Sequence, residues 1–265
     1  MFFLEQKDEK NIKVNWNLLD RNFLNDSYFQ NEVFLSSNFI SKNLNKSILD
    51  EINDQSLDNL NTRISSNENK SHTKKFGLLT SQLIRVFNSD KFTRYIEEIF
   101  KFEKNSLIYD NYFSGGGIHL SKKNQFLKMH QDFNFHPISH MKRVVNIIIY
   151  LNEEWEHEYG GVLSLEREKN KKIESLKVIP NQKQIVFRTD TNIWHGVNKI
   201  LVNKKRVSIA LYYYEKASFL SILLSLFTGR MTKFISHKGI RLLIPYLQHK
   251  LVIIKNIFQF NKLYK

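Results

Sequence analysis

The pattern of hydrophobic and polar positions changes near residue 107. Before that point, short apolar groups alternate with Asn, Ser, Lys and Asp, and two segments repeat apolar residues at helical spacing, Ser41 to Ile52 and Lys75 to Phe100. After it, short apolar or β-branched runs are separated by turn residues, which is typical of a barrel or a sandwich. The sequence therefore predicts helices before residue 107 and a β-rich core after it.

Eight segments of the core read as strands, near 107–113, 126–130, 143–151, 161–166, 173–179, 184–189, 192–197 and 206–214. Residues 144–151 and 207–214 are too uniformly apolar to have one face in water, so we expect them at the centre of a sheet, covered by the N-terminal helices. Eight strands suit a double-stranded β-helix, the jelly-roll form that cupins also use. The predicted fold class is mainly β with helices, an α+β arrangement.

Two irregular segments and three regions complete this picture. Gly115–Gly116–Gly117 is predicted to be a turn between strands, and residues 65–71 a mobile loop. We expect one domain made of a support region (1–106), a catalytic core (107–215) and a helical tail (216–265).

The formal net charge of +14 lies largely in the tail. No acidic residue follows Glu215, and the tail carries nine cations, which leaves +5 (14 minus 9) for the rest of the chain. These cations alternate with long apolar segments, a pattern that predicts a basic amphipathic helix. Because the cations do not form a compact basic face, we expect no specific nucleic-acid partner. Two alternatives stay open for the tail, peripheral membrane contact and self-association or packing on a partner.

The absence of cysteine excludes disulfides, thiolate metal ligands and a cysteine nucleophile, and it fits a reducing compartment. The first residues lack the basic and apolar regions of a signal peptide, and no run reaches the roughly 18 apolar residues of a membrane span. We therefore expect a cytoplasmic protein, with contact at a membrane surface as an alternative.

His130-Gln131-Asp132 and, 65 residues beyond His130, His195 carry the strongest chemical signal. Side chains two apart on an extended segment point the same way, so His130 and Asp132 can grip one ion, with His195 facing them from another strand. Two imidazoles and one carboxylate occupy one face of Fe(II) and leave positions for a chelating cosubstrate and dioxygen. The pattern predicts a facial triad and an oxygenase.

Arg206 and Ser208 lie on one face of the last core strand. A guanidinium forms a planar fork that matches a carboxylate, and a neighbouring hydroxyl adds another hydrogen bond, which suits the distal carboxylate of 2-oxoglutarate. Lys204 and Lys205 are alternative anchors. Asn146, inside an apolar strand, is either a satisfied core amide or a group that points toward the cosubstrate.

Residues 107–214 resemble the bacterial 2-oxoglutarate and Fe(II)-dependent oxygenases of the prolyl 4-hydroxylase-like superfamily. The matching stretches are Gly115–His119, Phe126–Asn134, Asn146–Asn152, Trp155, Tyr159–Gly161, Trp194–Gly196 and Arg206–Tyr214. The resemblance implies Fe(II) held by His130, Asp132 and His195, 2-oxoglutarate anchored by Arg206, dioxygen as oxidant and ascorbate as a reductant. It implies hydroxylation of an unactivated C–H bond with release of succinate and CO2.

The resemblance leaves several points open. Related halogenases replace the carboxylate ligand with a small residue, so Asp132 favours hydroxylation. The substrate candidates are a peptidyl proline, a small metabolite and a glycan or lipid-linked molecule. His119 and His136 are expected beside the ligands or facing the substrate, and the role of His140 is open. The rival functions are a non-catalytic jelly-roll binding module and a metal cupin enzyme that does not use 2-oxoglutarate.

Overall fold

The computed structural model describes residues 2–19, 26–36, 39–54, 71–73, 76–111, 113, 115–181 and 183–263. Within these ranges the strands are β1 (Leu4–Asp8), β2 (Asn11–Val14), β3 (Asp26–Tyr28), β4 (Val33–Ser36), β5 (Ser71–Thr73), β6 (Leu107–Tyr109), β7 (Gly117–Ser121), β8 (Leu127–Gln131), β9 (Lys142–Tyr150), β10 (Leu163–Lys169), β11 (Lys172–Val178), β12 (Gln184–Arg188), β13 (Trp194–Val197), β14 (Arg206–Glu215) and β15 (Lys233–Phe234). The α-helices are α1 (Lys42–Asp54), α2 (Leu78–Phe87), α3 (Asp90–Phe100), α4 (Phe219–Thr228) and α5 (Ile244–Leu263).

Two antiparallel sheets form a double-stranded β-helix, as the sequence predicted. The major sheet has the order β3-β4-β12-β9-β14-β7-β5, with β6 also paired to β14. The minor sheet has the order β11-β10-β13-β8-β15. The apolar strands β9 and β14 pair with each other and have further strands on their other sides, so the predicted central position of both is confirmed.

The main core lies on the outer face of the major sheet. Side chains of α1, α2 and α3 pack there against alternate residues of β9 and β14, and the cluster includes Ile48, Leu83, Phe92, Ile147 and Leu211. A second cluster fills part of the space between the sheets, where Leu165 of the minor sheet meets Ile185 and Phe187 of the major sheet. The predicted covering of the outer face by N-terminal helices is confirmed.

The predicted helix from Lys75 to Phe100 is two helices in the structure. Helix α2 ends at Phe87 and α3 begins at Asp90. The hydroxyl of Ser89 accepts a hydrogen bond from the backbone N–H of Phe92, which caps the start of α3. An apolar pattern continues across this break, because both helices bury one face in the same core.

The sequence prediction found the eight core strands and missed others. Strand β7 was missed because Gly115, Gly116 and Gly117 suggested only a turn. In the structure, Gly117 is already the first residue of the strand. The N-terminal strands were also missed, since each has five residues or fewer. Of the predicted loop at 65–71, residues 65–70 lie outside the described part of the chain, and Ser71 begins β5.

The tail is helical as predicted, and it also contains a strand. Between α4 and α5, β15 joins the edge of the minor sheet, where Phe234 is paired with His130 of β8. No helix in the described ranges is long and apolar enough to cross a membrane.

Candidate metal and cosubstrate site

The predicted triad lies on the minor sheet, on the side that faces the major sheet. His130 of β8 and His195 of β13 are direct partners across the two antiparallel strands, and Asp132 follows β8 by one residue. The Nε2 atoms of His130 and His195 lie 3.5 and 3.4 Å from the carboxylate oxygens of Asp132. One ligating atom from each of the three side chains falls within 4.8 Å of the others. The structure therefore brings the three residues together.

The ring of His130 is oriented by its own strand. Its Nδ1 lies 2.8 Å from the backbone oxygen of Lys128. A carbonyl oxygen only accepts hydrogen bonds, so Nδ1 carries a proton and Nε2 is the ring atom that faces Asp132. This backbone contact fixes the tautomer that a metal ligand requires.

A buried arginine controls the charge of Asp132. Arg143 of β9 lies with its Nη2 3.1 Å from the Asp132 carboxylate, and its guanidinium stacks on Tyr212, 3.4 Å from the ring centroid. Burial alone would raise the pKa of Asp132, but the charges of Arg143, His195 and His130 outweigh it and hold that pKa well below its usual range. These neighbours therefore favour the ionised form of Asp132.

Asn146 links this arginine to the carboxylate. Its side-chain amide donates to Asp132 over 2.8 Å, and its oxygen accepts from the Nε of Arg143 over 2.9 Å. This is the satisfied core amide of the two sequence interpretations, although Asn146 also lines the cavity described next. Its contact with a cosubstrate stays a prediction.

A cavity of about 100 Å³ runs between the sheets, from the triad to Arg206. Arg206 of β14 is buried, and it donates from Nε to the backbone oxygen of Gly161 and from Nη2 to the hydroxyl of Tyr150. Among the described residues no carboxylate lies within ion-pair distance of it. Burial therefore lowers the pKa of Arg206 and raises that of Tyr150, with only a partial offset from their contact. A buried cation without an anionic partner is costly, so this end of the cavity favours an anion.

Ser208 and Arg206 face the same cavity, as the sequence predicted. Ser208 is buried at this wall of the cavity. The alternative anchors do not reach this space. Lys205 is exposed beside Asn53, and Lys204 is exposed over the ring of Tyr159.

The donor set fits the groups that the sequence implied. Ligands about 2.1 Å from one ion and at right angles to one another stand about 3 Å apart, close to the separations of the triad here. A mixed imidazole and carboxylate set suits Fe(II). At the other end of the cavity, the guanidinium and hydroxyl groups of Arg206, Tyr150 and Ser208 suit the carboxylate of a dicarboxylic keto acid.

A second cleft of about 400 Å³, which we call the outer cleft, also reaches the triad. Both spaces share a wall, which is formed by His130, Asp132, Leu127 and Tyr212. The other residues of this cleft are Gly115, Phe133, His136, Pro137, Ile138, Arg143, Met231, Thr232 and Phe234. Its wall is mainly apolar and aromatic, and part of it comes from the tail.

The tail also contacts a triad residue directly. The Nη1 of Arg230 donates to the backbone oxygen of Asp132 over 2.6 Å. The segment around it is fixed by Asn134, whose side chain bonds the backbone N–H of Arg230 and the backbone oxygen of Thr228. The residues that join α4 to β15 therefore support the end of β8 that carries Asp132.

The three remaining histidines of interest have different surroundings. His119 lines the inner cavity, and its Nε2 lies 3.0 Å from the backbone oxygen of Gly115. His136 lines the outer cleft and accepts two backbone N–H groups at Nδ1, and burial lowers its pKa. His140 instead contacts Ser225 of α4 at 3.0 Å.

Sequence reasoning missed two arginines of this site. Arg143 precedes an apolar strand much as Arg206 does, and that parallel was the available signal. Arg230 had no local signal, because the contact between the tail and Asp132 spans 98 residues of sequence.

The chain matches known proteins in its β core. Residues 116–214 match the family model of the 2OG-Fe(II) oxygenase superfamily. A prolyl-4-hydroxylase from Pseudomonas putida has a similar fold, with 16% sequence identity, a TM-score of 0.53, and coverage of 71% of this chain and 94% of that one. A prolyl hydroxylase from Trichoplax adhaerens, solved with a hypoxia inducible factor peptide, gives 16% identity, a TM-score of 0.55, and coverage of 80% and 97%. No curated protein sequence matches the chain.

Proposed function

We propose that this chain, a 2OG-Fe(II) oxygenase of the prolyl hydroxylase-like type, hydroxylates an unactivated C–H bond of a substrate bound in the outer cleft. One observation carries the proposal most directly. Arg206 is a buried cation without a carboxylate partner among the described residues, and it lies at the end of the same cavity that begins at the triad. A cosubstrate with a carboxylate at one end and a chelating keto acid at the other would use both ends of that cavity.

In this proposal each residue has a defined task. His130, Asp132 and His195 hold Fe(II), and Arg206 with Ser208 binds the distal carboxylate of 2-oxoglutarate. Iron bound there would activate dioxygen, so that one oxygen atom enters the C–H bond as C–OH and the other enters succinate as 2-oxoglutarate loses CO2. Tyr150 stays protonated beside Arg206, because burial raises its pKa, and so it remains a hydrogen-bond donor. The sheets on both sides keep water from the reacting centre.

The outer cleft is the proposed substrate site. Its aromatic and aliphatic wall suits a substrate with an apolar part, held against Phe133, Tyr212 and Phe234. The similar prolyl hydroxylase from Trichoplax adhaerens was solved with a peptide. For this chain the candidates stay a peptidyl proline, a small metabolite and a glycan or lipid-linked molecule. The presence of a carboxylate at Asp132, where related halogenases have a small residue, supports hydroxylation.

An anaerobic titration with Fe(II) and 2-oxoglutarate tests this proposal. We expect the weak visible charge-transfer band of chelated 2-oxoglutarate in the wild type. Asp132→Ala should weaken iron binding and the band together, because one of the three ligands is removed. Arg206→Ala should keep iron but need on the order of 100-fold more 2-oxoglutarate, since it removes a charge-assisted pair in a buried site.

Lys205→Ala is the matched control, because it removes a neighbouring cation that is exposed. It should titrate like the wild type. Iron bound by the wild type without any band, at saturating 2-oxoglutarate, would refute the proposal and favour a metal cupin enzyme or a binding module.

A further inference from the structure

Exposed apolar side chains are concentrated in the tail. Of the 19 large hydrophobic residues that are exposed in the described ranges, 15 follow residue 216. They are Phe219, Leu220, Ile222, Leu224, Leu226, Phe227, Ile235, Ile240, Leu242, Leu243, Ile244, Leu247, Leu251, Ile254 and Ile257, which together we call the tail surface. Single exposed hydrophobic residues are ordinary, but a group of this size marks a binding surface.

Helix α4 is oriented with its polar side inward. Ser225 is its one buried residue, and its hydroxyl contacts His140 at 3.0 Å and His249 of α5 at 3.3 Å. Phe219 and Phe227 are 78% and 75% exposed on the same helix. A helix in water normally buries its apolar face, so this orientation indicates an apolar surrounding on the outer side.

Helix α5 repeats this arrangement beside it. Pro245, His249 and Ile253 face the protein at a spacing of four residues. Leu247 and Leu251 are 58% and 63% exposed and form an outer stripe with other apolar residues. Both helices therefore present apolar side chains to the outside.

The charge of the tail identifies the partner. The same segment of the chain exposes five cations, Lys216, Lys238, Arg241, Lys250 and Lys255, and it has no acidic residue. A second copy bound through the same surface would bring like charges together, because a two-fold interface places a patch against itself. A nucleic acid would satisfy the charge but not the apolar side chains. An anionic phospholipid bilayer satisfies both.

We propose that the tail surface docks the protein in the plane of an anionic phospholipid bilayer. The apolar side chains of α4 and α5 insert at the boundary of headgroups and acyl chains, and the cations of the same segment contact the phosphates. The docking is interfacial, in agreement with the absence of a membrane-spanning helix among the described residues. It does not depend on the proposed reaction.

Flotation of the full chain with vesicles tests the proposal. Vesicles of phosphatidylcholine alone are compared with vesicles that contain 30% phosphatidylglycerol as a chosen test composition, roughly the range of anionic membranes. We expect the wild type to float with the anionic vesicles and much less with the neutral ones. Leu247→Ser with Leu251→Ser should lower the partition coefficient at least about tenfold, because two inserted side chains are lost. Lys250→Gln with Lys255→Gln should lower it by about 30-fold, and only for anionic vesicles.

Matched controls lie on β11, outside the tail. Ile173→Ser removes a side chain that is 72% exposed, and Lys172→Gln with Lys177→Gln removes two exposed cations. These variants should float like the wild type. Circular dichroism and an unchanged melting temperature show that the tail variants are folded.

Two results would overturn the proposal. One is that folded wild type fails to float with anionic vesicles. The other is a stable dimer in sedimentation velocity that requires Leu247 and Leu251 and persists in the presence of vesicles, which would assign the surface to a second copy.

Discussion

At the scale of single residues, Asp132 is held by three neighbours from two parts of the chain, strand β9 and the tail. Arg143 supplies the opposite charge, Asn146 donates a hydrogen bond, and Arg230 binds the backbone oxygen of the same residue. Asp132 is 14% exposed, so these contacts act in a partly dry environment where they are strong. They fix the direction in which the carboxylate faces the two imidazoles.

Arg143 is therefore a positioning residue for the proposed metal site. Its replacement in Arg143→Met keeps much of the buried volume and removes the charge, which raises the pKa of Asp132 and frees its side chain to turn. We expect iron affinity to fall by about 10- to 100-fold, the usual effect of losing a partner of a metal ligand. Equilibrium dialysis with metal analysis measures it.

Arg167→Met is the matched control. Arg167 is also a buried arginine, paired with Glu32 and Glu174 and stacked on Phe29 away from the triad. We expect this variant to lose stability and keep iron affinity. Equal losses of iron affinity in both variants would mean that Arg143 acts only through the stability of the fold.

The residues of the triad were predictable from sequence, and their supports were not. His130 and Asp132 are two apart on a strand, so local geometry alone puts them on one face. Asn146 was identified with two interpretations, and the structure gives its amide to Asp132 and Arg143. The partner of a residue on the opposite sheet depends on how the sheets stack, and no local pattern records that.

At the scale of elements, the turn before β10 holds the cosubstrate end of the cavity. Gly161 has φ of +67°, and its backbone oxygen accepts the hydrogen bond from Arg206 Nε. A Cβ atom there would lie 3.0 Å from Cδ of Arg206 and 3.2 Å from the ring of Trp155. The glycine therefore provides both the left-handed backbone and the space in which Arg206 lies.

We expect Gly161→Ala to lower the affinity for 2-oxoglutarate by about tenfold or more, because the added methyl group displaces the guanidinium. Gly239→Ala is the control, since Gly239 also has a positive φ of +56° but nothing lies within 4 Å of the added atom. Isothermal titration with an inert metal measures both. An unchanged affinity in Gly161→Ala would show that Arg206 is not held by this turn.

The elements themselves were predictable where they were long and periodic. The continuous apolar sequence of strands β9 and β14 predicted their central position. Strand β15 has only two residues, too few to form a pattern. The sequence also predicted one helix where the structure has α2 and α3, because the local pattern does not show the break between them. Their apolar faces bury in one core, so the periodicity continues where the backbone is capped at Ser89.

At the scale of the whole molecule, the proposed site lies between the two sheets and takes residues from both. The triad belongs to the minor sheet, and Arg143, Asn146, Arg206 and Ser208 belong to the major sheet. A metal and a cosubstrate bound there would contact both sheets. They would stabilise the native state and not the unfolded state, in which the sheets are absent. This dependence on both sheets gives a prediction that needs no substrate.

With Mn(II) and 2-oxoglutarate each at about 100 times its dissociation constant, we expect about 2.7 kcal/mol of added stability from each ligand, or about 5.4 kcal/mol together. For a chain of this size that raises Tm by about 10 to 20 °C. Differential scanning calorimetry measures the shift, and Asp132→Ala provides the control, which should show little of it. An equal shift in both proteins would indicate binding elsewhere.

The hydrogen bond from Arg230 to Asp132 makes the tail part of the thermodynamics of the metal site. A ligand of the tail that displaces Arg230 would change the affinity for iron, and by reciprocity iron would change the affinity of the tail for that ligand by the same factor. If the ligand leaves Arg230 in place, the coupling factor is one. The protein would then bind the ligand of the tail and the metal as two independent events. The iron affinity measured with that ligand, divided by the iron affinity measured without it, distinguishes these cases.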